Sequence, residues 1–180
     1  MVPGVRNPSK QENRALESVE GTEDDRYIAG PSCTKNRRWE SDMDLIRQPP
    51  RRASNVNMAG IVGLARMTDK ARGHNAELLG DYRYGAGSGL DVEVLEFINM
   101  NEEEFAEAAD ELSDADLGTL ARECSGRAQA DIDEFNREHL EREPQDDLHR
   151  QLLNERLDKF APGRIDITTV FASMELDDWG

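Results

Sequence analysis

The chain has 180 residues, of which 37% are hydrophobic, 6% aromatic and 33% charged, with a formal net charge of −16. Its length fits one domain with a core of its own, although so charged a composition leans toward disorder. Such a negative body repels nucleic acid and anionic membranes, so neither is expected as a partner.

The charge is unevenly spread. Residues 1–43 carry 7 basic and 8 acidic side chains, residues 44–87 carry 7 and 4, and residues 88–180 carry 8 and 26. Only the middle block is positive, and it is the part suited to an anion. Arginine outnumbers lysine 18 to 4. With the acidic excess, this reads as a salt-adapted, halophilic protein whose carboxylates keep it hydrated.

Residues 1–42 show no sustained periodicity and are expected to be a disordered arm. Met43 opens the more organised sequence MDLIRQPPRR and is a candidate translation start, with the helical domain over 43–180. Pro49 and Pro50 impose an extended lead-in. Asn57 is expected to cap a first helix that runs to about Gly73 with Met58, Ile61, Val62, Leu64, Ala65 and Met67 as its apolar stripe. Gly80–Gly89 is too rich in glycine for a helix interior and is a loop.

Shorter helices follow. Leu90–Ile98 comes first, then one opened by an Asn101/Glu104 capping box through Leu112, then one opened by Ser113/Asp116 to about Cys124. Gly126–Glu143 presents Ala128, Ile132, Phe135 and Leu140 inward. Asp146–Phe160 presents Leu148, Leu152, Leu153, Leu157 and Phe160, and stops at Pro162-Gly163. Asp166 is expected to cap a last helix, Ile167–Leu176. Strand patterning is almost absent, so the class is all-α, a single compact multi-helix domain. Cys33 and Cys124 make no metal or disulfide framework, no apolar run spans a bilayer, and no secretion signal is visible. The cytoplasm is the expected compartment.

The strings LIRQPPRR, LARMTDKAR and LLGDYRYG, then APGRIDITTVF followed by ELDDW, resemble a bacterial family catalogued as a domain of unknown function, number 5069 of its series. The likeness covers about residues 44–178. It implies a domain that begins close to Met43, and it implies no activity. The GAGSG stretch is richer in glycine than that family leads one to expect and reads as a local loop variant.

The best candidate site is Arg66, Asp69, Lys70 and Arg72. Arg66, Asp69 and Lys70 share one helix face at i, i+3 and i+4, directly after a stripe that must be buried. Such charges either pair with other side chains or open on a polar pocket that could bind a phosphate or carboxylate. Asp81, Tyr82 and Tyr84, with Arg83 between the phenols, lie on a loop and could stack on a planar ligand or close the core. His74, His139 and His149 are not spaced as ligands and read as surface residues, so no metal is expected. No cofactor motif is present, since the glycines before Leu90 follow no apolar strand.

Two readings stand side by side. One is a non-enzymatic helical interaction or ligand-binding module with a cationic site at Arg66–Arg72. The other is a small enzyme acting on a phosphorylated or carboxylated metabolite, with Asp69 or Asp81 as base. Salt adaptation predicts helix loss when ionic strength falls from about 2 M to about 0.05 M KCl, as the Debye length grows from about 2 to about 14 Å. An unchanged circular-dichroism melting curve over that range would remove the idea.

Overall fold

The computed structural model describes residues 43–180, so the arm expected over residues 1–42 lies outside the described residues. Among the described residues there are seven α-helices and no strand: α1 Leu64–Asn75, α2 Gly89–Ile98, α3 Glu102–Glu111, α4 Asp114–Ser125, α5 Gln129–Glu141, α6 Asp147–Phe160 and α7 Val170–Trp179. A single 3-10 turn at Gly85–Gly87 precedes α2.

α1 is the hub. Every residue from Leu64 to Gly73 is buried, the charged ones included. It packs chiefly on α3 and also on α2, while α4 braces α2 and α3. Leu64, Met67, Ile98, Phe105, Leu117 and Ile132 are fully buried at the centre of this cluster. α6 packs mainly on α7, and α7 joins the body through α5.

The first helix starts later than its apolar stripe suggests. Residues 58–63 are turns, with Ala59 and Gly60 at φ 54° and 74° and Gly63 at φ 78°. Asn57 caps nothing, and its own N–H bonds to Asn55 Oδ1. Distant side chains satisfy the turn instead. Arg122 donates to Ala59 O, while Asn136 donates to Gly60 O and accepts from Val62 N. The stripe is buried all the same, but Met58, Ile61 and Val62 lie in a loop that α4 and α5 hold, and only Leu64, Ala65 and Met67 are in α1.

Local caps behave as their chemistry dictates. Asn101 and Glu104 close a reciprocal capping box on α3, and Ser113 accepts from Asp116 N at α4. α5 is shorter than Gly126–Glu143, because Gly126 takes φ 57° and ends α4. Its inner face also differs: Leu140 is 39% exposed, while His139 is buried. On α6, Leu148 is 63% exposed and Leu153 alone is buried. The last helix is capped by Thr169, which accepts from Ala172 N, and not by Asp166. Asp166 bonds Arg164 in the preceding turn, leaving Ile165 outside.

Gly63 holds the entry to α1 with positive φ, and a Cβ there would lie 2.9 Å from Val94 Cγ2. Gly63→Ala is expected to destabilise by about 2–3 kcal/mol in urea melts. Gly89→Ala, at a first helical position with open space around it, is expected to be neutral or slightly stabilising.

Candidate functional site

The polar residues of α1 leave the helix in different directions, and each meets a different segment. Asp69, 1% exposed, accepts from Arg51 N at 2.8 Å and from its guanidinium Nε and Nη2. Arg72 donates to Ala109 O and Leu112 O at 3.0 Å, satisfying carbonyls that the end of α3 leaves open. It also bonds Asp114 at 2.6 Å, a carboxylate shared with Arg51. Burial resists ionisation of Asp114, but the two guanidinium groups hold its carboxyl below the usual value.

Lys70 is sunk deeper. Its Nζ donates to Asp91 at 2.5 Å, to Ser88 Oγ at 3.0 Å and to Arg83 O at 3.1 Å, using all the donors of an ammonium group. Asp91 also accepts from Gly85 N. Burial pushes Lys70 down and Asp91 up, and their mutual attraction opposes both shifts. The glycine loop is thus spent inside the protein. Gly85 N–H points to Asp91 and Ala86 N–H to Glu102, and a Cβ on Gly85 would collide with the Glu102 carboxylate.

Arg66 differs from its neighbours. Nη1 donates to Asp178 of α7 at 2.6 Å and weakly to Arg51 O at 3.4 Å. Its Nε is buried with no hydrogen-bond partner. Nη2 makes no hydrogen bond among the described residues either, so a whole donor edge of the fork is unused. Tyr82 O–H bonds the other oxygen of Asp178 at 3.1 Å, and the Tyr82 ring centre lies 5.6 Å from Arg66 Cζ. Burial, then the Asp178 charge, pushes the Tyr82 phenol up to about 12. It is a donor here, never a phenolate at ordinary pH.

A cleft of about 490 Å³ opens among these groups, lined by Arg66, Lys70, Asp81 and Tyr82 from the expected set. Arg83, Arg156, Asp177 and Asp178 complete its polar walls. Arg83 is exposed and makes no side-chain hydrogen bond or ion pair among the described residues, and Asp81 is likewise exposed and unbonded. Asp69, Arg72 and Tyr84 stand apart from the cleft. Tyr84 closes the core, donating to Glu102 O at 2.7 Å, and burial raises its phenol as well. Arg156 was hidden from sequence reasoning because α6 carries it from more than seventy residues away in the chain. The acidic tail DDW was visible, but its target was not.

One histidine corrects the surface reading, while His74 and His149 are exposed as expected. His139 is 3% exposed, with Nδ1 at 2.8 Å from Phe135 O and Nε2 at 2.6 Å from Glu93. Phe135 and Phe171 flank its ring. Among the described residues no cluster of His, Cys, Asp and Glu is arranged to hold a metal ion. No helix of the described residues is long and apolar enough to cross a membrane.

Residues 47–179 match the family model described as Domain of unknown function (DUF5069). A comparison with curated proteins gives no match.

The Lys70–Asp91 pair tests how far these charges serve the fold. Lys70→Ala leaves a buried carboxylate alone and is expected to cost about 3–5 kcal/mol. The double replacement Lys70→Met with Asp91→Leu is expected to recover most of that loss in chemical denaturation. A double variant as unstable as the single one would refute the pairing argument.

Proposed function

The chain belongs to the family Domain of unknown function (DUF5069), a description that names no activity, and from the cleft we propose a non-enzymatic ligand-binding module for a small anion. The carrying observation is the unused donor edge of Arg66. A buried guanidinium N–H without an acceptor costs about 1–3 kcal/mol, and a bidentate carboxylate or phosphate oxygen pair is the partner that recovers it. Arg83, with no counter-ion among the described residues, stands at the same cleft and supplies a second cation. Tyr82 gives a flat wall with a polar tip. Asp69 and Arg72 belong to the framework that holds α1, not to the ligand.

The second reading is an enzyme acting on such an anion. It rests on Asp81, an exposed carboxylate that lines the cleft and makes no hydrogen bond among the described residues. Asp69 is a poor base, since it is saturated by Arg51. A cytoplasmic setting belongs to the same proposal, supported by the free thiol of Cys124.

Titration calorimetry and thermal shift with acetate, citrate and inorganic phosphate, at constant ionic strength against chloride, test the module. Binding is expected for the wild type, weakened about tenfold or more by Arg83→Ala and by Arg66→Gln. If no anion binds beyond the chloride control, the proposal falls. Consumption of a bound anion that stops in Asp81→Asn would favour the enzyme.

A further inference from the structure

A second cavity, about 540 Å³, lies between α2, the end of α5 and the α6–α7 pair. Leu90, Leu152, Val170, Phe171 and Met174 give it a largely apolar wall. It exists because α6 leans mainly on α7 and leaves part of its own apolar face without a partner. Ser88, Arg156 and Met174 line this cavity and the polar cleft alike. Arg156 is fixed in the shared wall by bonds to Ser173 Oγ at 2.9 Å and Asp177 at 2.8 Å.

The charges of the cleft narrow the head group. Arg66, Lys70, Arg83 and Arg156 face Asp81, Asp177 and Asp178, and Lys70 is further neutralised by Asp91. Cation and carboxylate balance, so a dianion would enter with little charge to receive it. A monoanion needs only the unused donor edge of Arg66. A planar carboxylate fits that edge with two parallel hydrogen bonds. An apolar chamber beside a few polar groups that fix orientation is the usual design of a small-molecule site.

Building on the anion reading of the cleft, we infer that the ligand is an amphipathic carboxylate, its head on the Nε–Nη2 edge of Arg66 and its apolar body in the adjoining cavity. Arg156 and Met174 form the threshold between the two. Leu152 and Phe171 meet the body, and Arg83 stands by the head.

Calorimetry on the full chain with acetate, butyrate, hexanoate, octanoate and decanoate tests this. Acetate reads the head alone. Affinity is expected to rise about fourfold for each methylene added until the cavity is full. Leu152→Glu places a charge in the apolar wall and is expected to flatten that rise while leaving acetate unchanged. Leu152 is only half-buried, and a helical spectrum equal to wild type verifies the fold; Val170→Glu, at a half-buried residue that lines the cavity and not the cleft, serves as the second variant. Arg66→Gln is expected to weaken every member by a similar factor. Acetate binding with no dependence on chain length overturns the inference and leaves the anion site standing. A rise that persists in both glutamate variants overturns it too, as does chain-length-dependent binding unaffected by Arg66→Gln. Silence from acetate, citrate, phosphate and all longer acids removes the anion site itself.

Discussion

The structure depends on a helix that is buried on every side while carrying four charged residues. Arg66, Asp69, Lys70 and Arg72 fall within the stretch of α1 that solvent does not reach. Each must find a counter-charge, because an unpaired ion there costs several kcal/mol. The partners come from separate parts of the chain: Asp178 from α7, Arg51 from the lead-in, Asp91 from α2 and Asp114 from α4. Charge pairing therefore fixes which segments surround α1, and apolar packing of Phe105, Ile98 and Leu117 fills the space between them. Buried ion pairs contribute little net stability against apolar substitutes, but they discriminate strongly between arrangements.

What could be read from the sequence follows the range of the forces involved. The capping box of Asn101 with Glu104 and the Ser113 cap are complete within four residues, so spacing alone revealed them. The all-α class came from apolar periodicity that spans whole segments. The start of α1 was not legible. Its turn survives because Arg122 and Asn136, 63 to 76 residues away, satisfy the backbone groups of Ala59, Gly60 and Val62. The same holds for His139. Arg137, Glu138 and Glu141 beside it in the chain are charged, and its burial comes with Phe171 across the fold and a bond to Glu93 on α2. At α7, Thr169 and not Asp166 is the N-cap, and the Asp166 carboxylate is held by Arg164 instead.

The candidate site was half legible for a related reason. A cluster of charge directly after a buried stripe announces that something polar lies within, and Arg66 and Lys70 do line a cleft. The pattern does not say which charges will be saturated. Lys70 spends every donor, and Asp69 is held in a fork by Arg51. Arg66 is the exception only because Asp178 reaches it along one edge.

That contact joins the fold to the cleft. Asp177 and Asp178 occupy the last turn of α7, where the helix dipole disfavours negative charge. The turn persists because Arg156 and Arg66 neutralise it from outside the helix. Tyr82 adds a hydrogen bond to the same carboxylate. An anion arriving at Arg66 therefore meets a group already of its own kind, a carboxylate on a guanidinium. Bound on the free Nε–Nη2 edge, it would share Arg66 with Asp178 and fill the vacant donors. Bound on the Nη1 edge instead, it would displace Asp178 and deprive the last turn of α7 of one of its two cations. The first mode would tighten α7 against α1, and the second would loosen it. Because α6 rests mainly on α7, under the proposed binding either outcome would be passed to the wall of the apolar cavity, and Arg66 would couple the two chambers.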